Sequence, residues 1–172
     1  LEAIKGSHSP FDPRIHDVRP HPGQRISATR IMGFISDSEI QKSHINCDRV
    51  QDAYSFRCAP QVHGPIIEIL KEGRRMLEVE LNSATDNPLV FSKEETWDVI
   101  SGGNFHGQNL SMMSDYLAIA CHELASISER RVDQILDSRW SGQKAFLTNK
   151  EGLESGLTVS YTHLRAHETH EH

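Results

Sequence analysis

Three polar side chains recur at steps of three residues in one short segment. Gln51, Tyr54 and Arg57 lie in the run CDRVQDAYSFRC, residues 47–58. If this run is helical, each step falls about 60° short of a full turn, so the three side chains share one third of the helix surface. The guanidinium of Arg57 could then bind a carboxylate, with the Tyr54 phenol as an acid–base group and the Gln51 amide as a hydrogen-bonding group. On spacing alone, a solvated face whose charges pair with one another is the favoured interpretation.

A second segment, SGGNFHG at residues 101–107, places two glycines directly before Asn, Phe and His. Glycines let the backbone approach a ligand closely, and a glycine-rich turn before a long helix can hold an anion on free N–H groups. A tight turn with Phe105 packed into the core is the favoured alternative. The run NSATDNPLV, residues 82–90, is equally ambiguous, because its amides and carboxylate either cap a helix or line a site. Neither segment identifies a function alone.

Composition argues against several classes of protein. The 172 residues suffice for one domain, and the formal net charge of −6 disfavours nucleic acid as a partner. Three cysteines without CxxC spacing argue against a disulfide framework or a structural zinc site, and they fit a reducing cytoplasm. No apolar run approaches the roughly 20 residues that span a bilayer, so no membrane partner is expected. The histidines share no metal-ligand spacing in the motifs, and no metal site is predicted there.

Two long helices are predicted to position these segments. Apolar side chains recur at steps of three and four between Ile66 and Leu81, and a second such stripe runs through residues 107–136. Between them, residues 89–91 and 97–100 are predicted to form a small hairpin, and residues 24–34 a short helix nearer the N-terminus. Because no long alternating pattern indicates a larger sheet, the predicted fold class is mostly α, in the form of an elongated helical bundle.

Taken together, the motifs resemble one enzyme family. In order along the chain they are DPRIHDVRPHPGQ (12–24), SHINCDRVQDAYSFRCAPQVHG (43–64), NSATDNPLVF (82–91), SGGNFHGQ (101–108) and ISERR (127–131). Five linked motifs in this order and spacing are similar to the middle of the aromatic amino acid ammonia-lyases. The form of the second motif, together with DPRIH, resembles the histidine ammonia-lyase branch. The resemblance covers residues 1–157.

The resemblance implies that residues 1–157 are a central fragment of the helical domain of an ammonia-lyase. It also implies a cytoplasmic homotetramer that removes ammonia from L-histidine without oxidation and leaves trans-urocanate, a step of histidine catabolism. The family's electrophile is 4-methylideneimidazol-5-one (MIO), which forms from an Ala-Ser-Gly tripeptide. Such an electrophile and a well-placed base are needed because the proton removed is barely acidic and the amine is a poor leaving group.

The family motifs also imply roles for individual residues. Tyr54 and Phe105 match active-site residues and are the candidate catalytic positions, with Phe105 near the cofactor and the substrate ring. Arg57 matches the arginine that binds the substrate carboxylate, and Gln51 matches a glutamine of the same pocket. Family active sites form where several subunits meet. The ladder of three polar residues is therefore expected to be one wall of an amino acid pocket.

Two departures from the family pattern matter. The 172 residues contain no Ala-Ser-Gly, so this polypeptide as given is predicted to form no MIO and to be inactive, whereas a full-length parent would be active. The tail TVSYTHLRAHETHEH, residues 158–172, is similar to the translation of a sequencing-library adapter. It is expected to be non-native and disordered, so its four histidines are not predicted to form a metal site.

Two alternatives stay open. A phenylalanine or tyrosine ammonia-lyase, or an aminomutase of the same family, would carry similar motifs, because the residues that recognise the substrate ring lie mostly outside this segment. The alternative from a different class is a non-catalytic helical module that binds partners through exposed apolar stripes. That module would be a soluble monomer that folds cooperatively when expressed alone, whereas an insoluble product would count against it.

Overall fold

The computed structural model describes residues 1–43, 46, 50–150 and 152–168. The α-helices are α1 (Pro13–Asp17), α2 (Pro22–Ile35), α3 (Glu39–Ser43), α4 (Tyr54–Arg57), α5 (Ala59–Leu81), α6 (Gln108–Leu136), α7 (Ser138–Ser141) and α8 (Thr158–Glu168). The strands are β1 (Leu89–Lys93) and β2 (Thr96–Ile100), and short 3-10 helices cover Glu2–Ile4, Ser9–Phe11 and Ala145–Leu147. The prediction of a mostly α fold is confirmed.

Helices α5 and α6 form an antiparallel pair that organises the chain. Gly73 of α5 faces Met113 of α6, whereas Ile66 and Ile69 pack with Ala120 further along α6. The numbers rise along one helix as they fall along the other, which requires an antiparallel arrangement. Both helices span their predicted apolar stripes. Only part of each stripe is buried between them: Ile66, Ile69 and Ala120 are buried, whereas Leu70, Leu77 and Leu124 are exposed. This pair sets the distance between the two ends of the molecule.

Helix α2 crosses α5 at a point where both backbones come very close. A Cβ atom added to Gly23 would overlap the carbonyl oxygen of Gly64, and one added to Gly64 would overlap the backbone of Gln24. The Gly23 N–H donates to the Glu68 carboxylate at 2.7 Å, which satisfies a free donor in the first turn of α2. Two glycines without side chains therefore allow the α2–α5 contact on which the N-terminal half packs.

A two-stranded hairpin joins α5 to α6. Leu89 pairs with Ile100 and Lys93 with Thr96 in an antiparallel register, close to the predicted limits of the strands. The preceding segment ends α5: the Asn82 amide donates to the Glu78 carbonyl at 2.7 Å, and the Ser83 hydroxyl to the carbonyl of Val79 at 2.6 Å. These contacts favour helix capping for the start of the NSATDNPLV run.

The condition that residues 47–58 form one helix, on which the spacing argument depended, is not met by the described residues. Residues 47–49 lie outside the described part, Gln51 and Asp52 are not helical, and α4 covers only Tyr54–Arg57. Buried Asp52 instead accepts a hydrogen bond from the Ser7 N–H at 2.7 Å. The chain also bends at Cys58, because Pro60 has no N–H for the carbonyl four residues earlier and its ring would clash there.

The C-terminal segment also differs from expectation. Instead of disorder, the structure has α8 over Thr158–Glu168, and this helix packs on α6. Loss of hydration, followed by hydrogen bonds to Asp133 and Glu129, raises the pKa of Tyr161 to about 12. Tyr161 of α8 therefore lies against α6, next to Asp133 and Glu129. The non-native origin of the tail stays a prediction.

Within the described residues, no helix combines the length and apolar character needed to cross a membrane. Over the same part of the chain, no three His, Cys, Asp or Glu side chains are grouped so that they could bind a metal ion.

Candidate active site

The single turn of α4 lies against the C-terminal part of α6. Arg131 of α6 donates from Nε to the backbone carbonyl of Ser55 at 2.9 Å. The Ser55 hydroxyl donates to Oε1 of Gln134, one turn further along α6, at 2.5 Å. Arg131 Nη2 also donates to His63 Nε2 at 3.1 Å, since a guanidinium can only donate. Both the main chain and the side chain of Ser55 are therefore held by α6.

Tyr54 and Arg57 occupy the two ends of this turn. Residues three apart on a helix are neighbours, with Cβ atoms about 5–6 Å apart, so the structure brings these two candidates together. The Tyr54 side chain is 68% exposed. Arg57 is partly buried, and its buried Nε atom has no hydrogen-bond partner among the described residues. An exposed phenol thus lies beside a guanidinium with an unused donor.

Gln51 lies outside the helical turn. It precedes α4 in a non-helical segment and is exposed, and it lines a small cavity with Asp52, Phe56 and Gln134. The helical spacing that placed Gln51 on one face with the other two residues is therefore absent. Gln51 still precedes Tyr54 by only three residues in the chain. The hydrogen bond from the Ser7 N–H to Asp52 anchors the residue that follows Gln51.

Phe105 lies at the opposite end of the α5–α6 pair. It belongs to the turn before α6 and is 63% exposed, so it does not fill the core as the favoured alternative predicted. Helix α5 has 23 residues, which at 1.5 Å per residue separate its ends by about 35 Å. Since α4 precedes α5 and Phe105 follows the hairpin beyond it, one chain does not bring Phe105 to Tyr54 and Arg57.

Two arginines, Arg57 and Arg131, lie on or against α4. None of the ion pairs formed between described residues involves Arg57 or Arg131. Burial lowers the pKa of Arg131 from its ordinary value, and burial followed by the charge of Arg131 lowers the pKa of His63. A neutral His63 can accept the hydrogen bond from Arg131. The guanidinium of Arg57, whose Nε has no partner among the described residues, can therefore bind an anionic group.

Sequence reasoning missed the supporting cluster of Arg131, Ser55, Gln134 and His63. A signal for it was present: Arg131 lies four residues from both Ile127 and Ile135, on the apolar stripe of α6. Arginine is rarely buried without hydrogen-bonding partners, so an arginine on a buried stripe indicates acceptors on a neighbouring element.

Sequence comparisons agree with the motif assignment. The family model for aromatic amino acid lyases matches residues 1–167, which extends beyond Leu157. The histidine ammonia-lyase of Myxococcus xanthus is 52% identical over 160 residues, covering 93% of this chain and 31% of that protein. The Bos taurus histidine ammonia-lyase is 48% identical over 166 residues, covering 94% of this chain and 25% of that protein. The chain thus spans less than a third of the length of these relatives.

Solved structures show the same architecture. Histidine ammonia-lyase from Trypanosoma cruzi matches with a TM-score of 0.82 at 42% identity, over 96% of this chain and 30% of that one. A tyrosine aminomutase from Streptomyces globisporus also gives a TM-score of 0.82, at 33% identity, over 96% of this chain and 35% of that one. The backbone is therefore shared by relatives with different names. With the family model matched over residues 1–167, the chain belongs to the aromatic amino acid lyase family.

Proposed function

We propose that this sequence is part of a histidine ammonia-lyase, an enzyme that converts L-histidine to trans-urocanate and ammonia. The similarity to eight relatives of that name, at 46–52% identity over most of this chain, supports the choice of substrate. The observation that carries the site assignment is the pairing of Tyr54 and Arg57 on α4. Both residues occupy positions where the family motif has its active-site tyrosine and carboxylate-binding arginine.

Arg57 binds the substrate carboxylate in this proposal. Its Nε donor is buried without an acceptor in the described part of the chain, and such a group is costly unless a ligand or another part of the protein pairs with it. A carboxylate fits because it can take two parallel hydrogen bonds from one guanidinium. The nearby charge of Arg131 adds to the attraction for an anion.

Tyr54 is the proton-handling group of the same wall. Its phenol is exposed beside Arg57, so it can reach a substrate whose carboxylate is fixed by that arginine. Gln51 contributes an amide from the preceding segment and orients the bound amino acid. A general acid–base group in such a position accelerates proton transfer by about 10²–10⁴-fold.

Phe105 completes the site from a different subunit. The separation of about 35 Å across α5 excludes a single-chain site that uses Phe105 together with Tyr54. An exposed aromatic side chain at the end of the helical pair is suited to line a pocket on a neighbouring chain. The proposed assembly is a cytoplasmic homotetramer, as the family resemblance implies.

The residues of this chain do not fit the formation of MIO. The three Ser-Gly pairs are preceded by Ile100, Trp140 and Glu154, and no Ala-Ser-Gly occurs. In the proposed full-length enzyme, MIO would supply an electrophile for the substrate amine. This chain would contribute carboxylate binding by Arg57, proton transfer by Tyr54 and ring contact by Phe105. The chain alone is therefore expected to release no ammonia.

The test is an assay of the full-length protein that contains this sequence, with L-histidine, L-phenylalanine and L-tyrosine supplied separately. Formation of urocanate and ammonia from L-histidine is the expected result. A tyrosine-specific or phenylalanine-specific enzyme is the second candidate, favoured by the equal TM-score of the tyrosine aminomutase. Turnover of tyrosine or phenylalanine but not histidine would establish that candidate instead.

A further inference from the structure

We infer that Arg131 is a positioning residue for the active-site turn, and that it acts by bridging the bend between α4 and α5. The inference rests on the proposed function, because it assigns Arg131 a role in placing Tyr54 and Arg57. The motifs indicated four site residues: Gln51, Tyr54, Arg57 and Phe105. The structure adds Arg131, His63 and Gln134 as residues that support them. None of the three touches the reacting atoms in this assignment.

A single helical turn cannot hold its own shape in water. Helix α4 has four residues, and isolated helices shorter than about 12–15 residues are marginal. At Cys58 the backbone leaves helical geometry, with φ −93° and ψ 14°, before α5 begins. Contacts from elsewhere must therefore fix the angle between α4 and α5, and with it the direction of Tyr54 and Arg57.

Arg131 makes one hydrogen bond on each side of this bend. Its Nε donates to the Ser55 carbonyl, which precedes Cys58, and its Nη2 donates to His63 Nε2, which follows it. The two donors belong to one rigid plane, so the two acceptors are held at a set separation. Ser55 lies between Tyr54 and Arg57, and fixing its carbonyl fixes the turn that carries both.

Gln134, on the next turn of α6, makes a second contact to Ser55. Its Oε1 accepts from the Ser55 hydroxyl at 2.5 Å, while Arg131 three residues earlier holds the Ser55 carbonyl. Ser55 is 2% exposed, so water does not compete strongly for these bonds. Two contacts at one residue restrict both translation and rotation of the α4 turn.

The first experiment separates this inference from the proposed function. Wild-type full-length enzyme and its Arg131→Met variant are compared by hydrogen–deuterium exchange over the α4 segment. The amides of Arg57 and Cys58, which bond to the carbonyls of Ala53 and Tyr54, are expected to exchange faster in the variant. Unchanged exchange at both amides would overturn the inference even if the enzyme is an active lyase. A wild type inactive on every aromatic amino acid would overturn only the proposed function.

The second experiment is a double-mutant cycle on kcat/KM. Arg131→Met is expected to lower kcat/KM by about 100-fold, the size of loss caused by misplacing catalytic groups by about 1 Å. In a Tyr54→Phe background the same change is expected to cost about tenfold rather than about 100-fold, because one of the two groups that Arg131 places is already lost. Equal losses in both backgrounds would show a general structural effect and overturn the inference. Arg74→Met is the control, since among the described residues Arg74 forms only an exposed ion pair with Glu78.

If the Arg131→Met variant fails to fold, less disruptive substitutions of His63 and Arg131 test the same bridging role. His63→Gln retains an acceptor for Nη2, whereas His63→Leu removes it and leaves the Ser55 bond intact. We expect His63→Leu to lower kcat/KM by about tenfold and His63→Gln to stay within about twofold of wild type. Arg131→Lys keeps the charge but cannot make both bonds from one rigid plane, so it is expected to recover only part of the loss. Equal activity of His63→Leu and His63→Gln would contradict the bridging role.

Discussion

The two ends of the α5–α6 pair are held in different ways. At the α4 end, Ser55 is buried and bonded to residues 76 and 79 positions away in the sequence. At the hairpin end, the turn around Gly103 is exposed, and its bonds reach back no further than 20 positions: Asn87 accepts from Gly102, and Asn104 donates to Ala84. One end is thus rigid within the chain, and the other keeps its shape locally while exposing Phe105.

This difference explains the division of the proposed site. In the proposed site, Tyr54 and Arg57 would act on one small substrate, which requires a fixed relative position, and the contacts of α4 provide it. Phe105 stands on a solvent-facing turn whose surroundings within the chain are sparse. Exposed apolar side chains such as Phe105, Trp97 and Leu81 are typical of surfaces that are covered in an assembly.

The largest effect should come from the binding group at the rigid end. In the full-length enzyme, Arg57→Met is expected to lower kcat/KM for L-histidine by about 1,000-fold, because losing a charged hydrogen-bonding partner typically costs 2–5 kcal/mol. Steady-state kinetics measure this loss. Arg74→Met serves as the matched control on an exposed face. A loss below tenfold for Arg57→Met would assign the carboxylate to another group.

A smaller effect, confined to turnover, is expected for the phenol. Tyr54→Phe removes one hydroxyl and should lower kcat by about 100-fold, with little change in KM, because proton transfer rather than binding is affected. Comparing kcat and KM over the same substrate range measures it. If KM rises and kcat is preserved, Tyr54 is a binding residue instead.

Two glycine substitutions compare the packed and the exposed regions directly. Gly64→Ala should destabilise the folded protein by about 1–3 kcal/mol, because its Cβ would overlap the backbone of Gln24 at the α2–α5 crossing. Gly103→Ala meets no atom within 4 Å and should change the free energy of unfolding by less than about 0.5 kcal/mol. Thermal unfolding of the full-length variants measures both. Equal destabilisation would show that Gly103 is packed against a partner chain.

The smallest predicted effect concerns acid stability at the rigid end. Since the pKa of His63 is lowered in the folded state, the unfolded state binds more protons as pH falls below the ordinary value near 6.5. The stabilisation by neutral His63 is therefore present above that value and is lost as pH falls through the folded pKa. His63→Gln should lose less thermal stability than wild type between about pH 7 and about pH 5. An identical pH dependence would contradict the assignment of His63 as a neutral acceptor.

The long elements of the fold could be predicted because their signals are local. Apolar periodicity identified α5 and α6, and turn residues identified the hairpin between them. The spacing of Gln51, Tyr54 and Arg57 would place them on one face only if the run were a single helix, and a contact that is not local accompanies the departure from helix: Asp52 bonds to Ser7, some 45 positions away. The same limit applies to Arg131, whose position on an apolar stripe indicated a buried contact but not its acceptors.

Candidate site residues were predicted by motif rather than by geometry. Spacing suggested that Gln51, Tyr54 and Arg57 share a helical face, whereas the structure keeps only Tyr54 and Arg57 on one turn. The local sequence pattern did not indicate that Phe105 lies a helix length away from Tyr54 and Arg57. That separation follows from the antiparallel α5–α6 pair and gives the proposal its most specific consequence.

The most direct test of the account is complementation between inactive subunits. Full-length Tyr54→Phe and Phe105→Ala chains are produced separately, each expected to have low activity, and are then co-expressed so that mixed oligomers form. If one site takes Tyr54 and Phe105 from different chains, some sites in mixed oligomers contain both wild-type residues, and activity on L-histidine well above either parent is expected. Mixed oligomers no more active than the separate variants would show that the site does not combine Tyr54 and Phe105 from different chains.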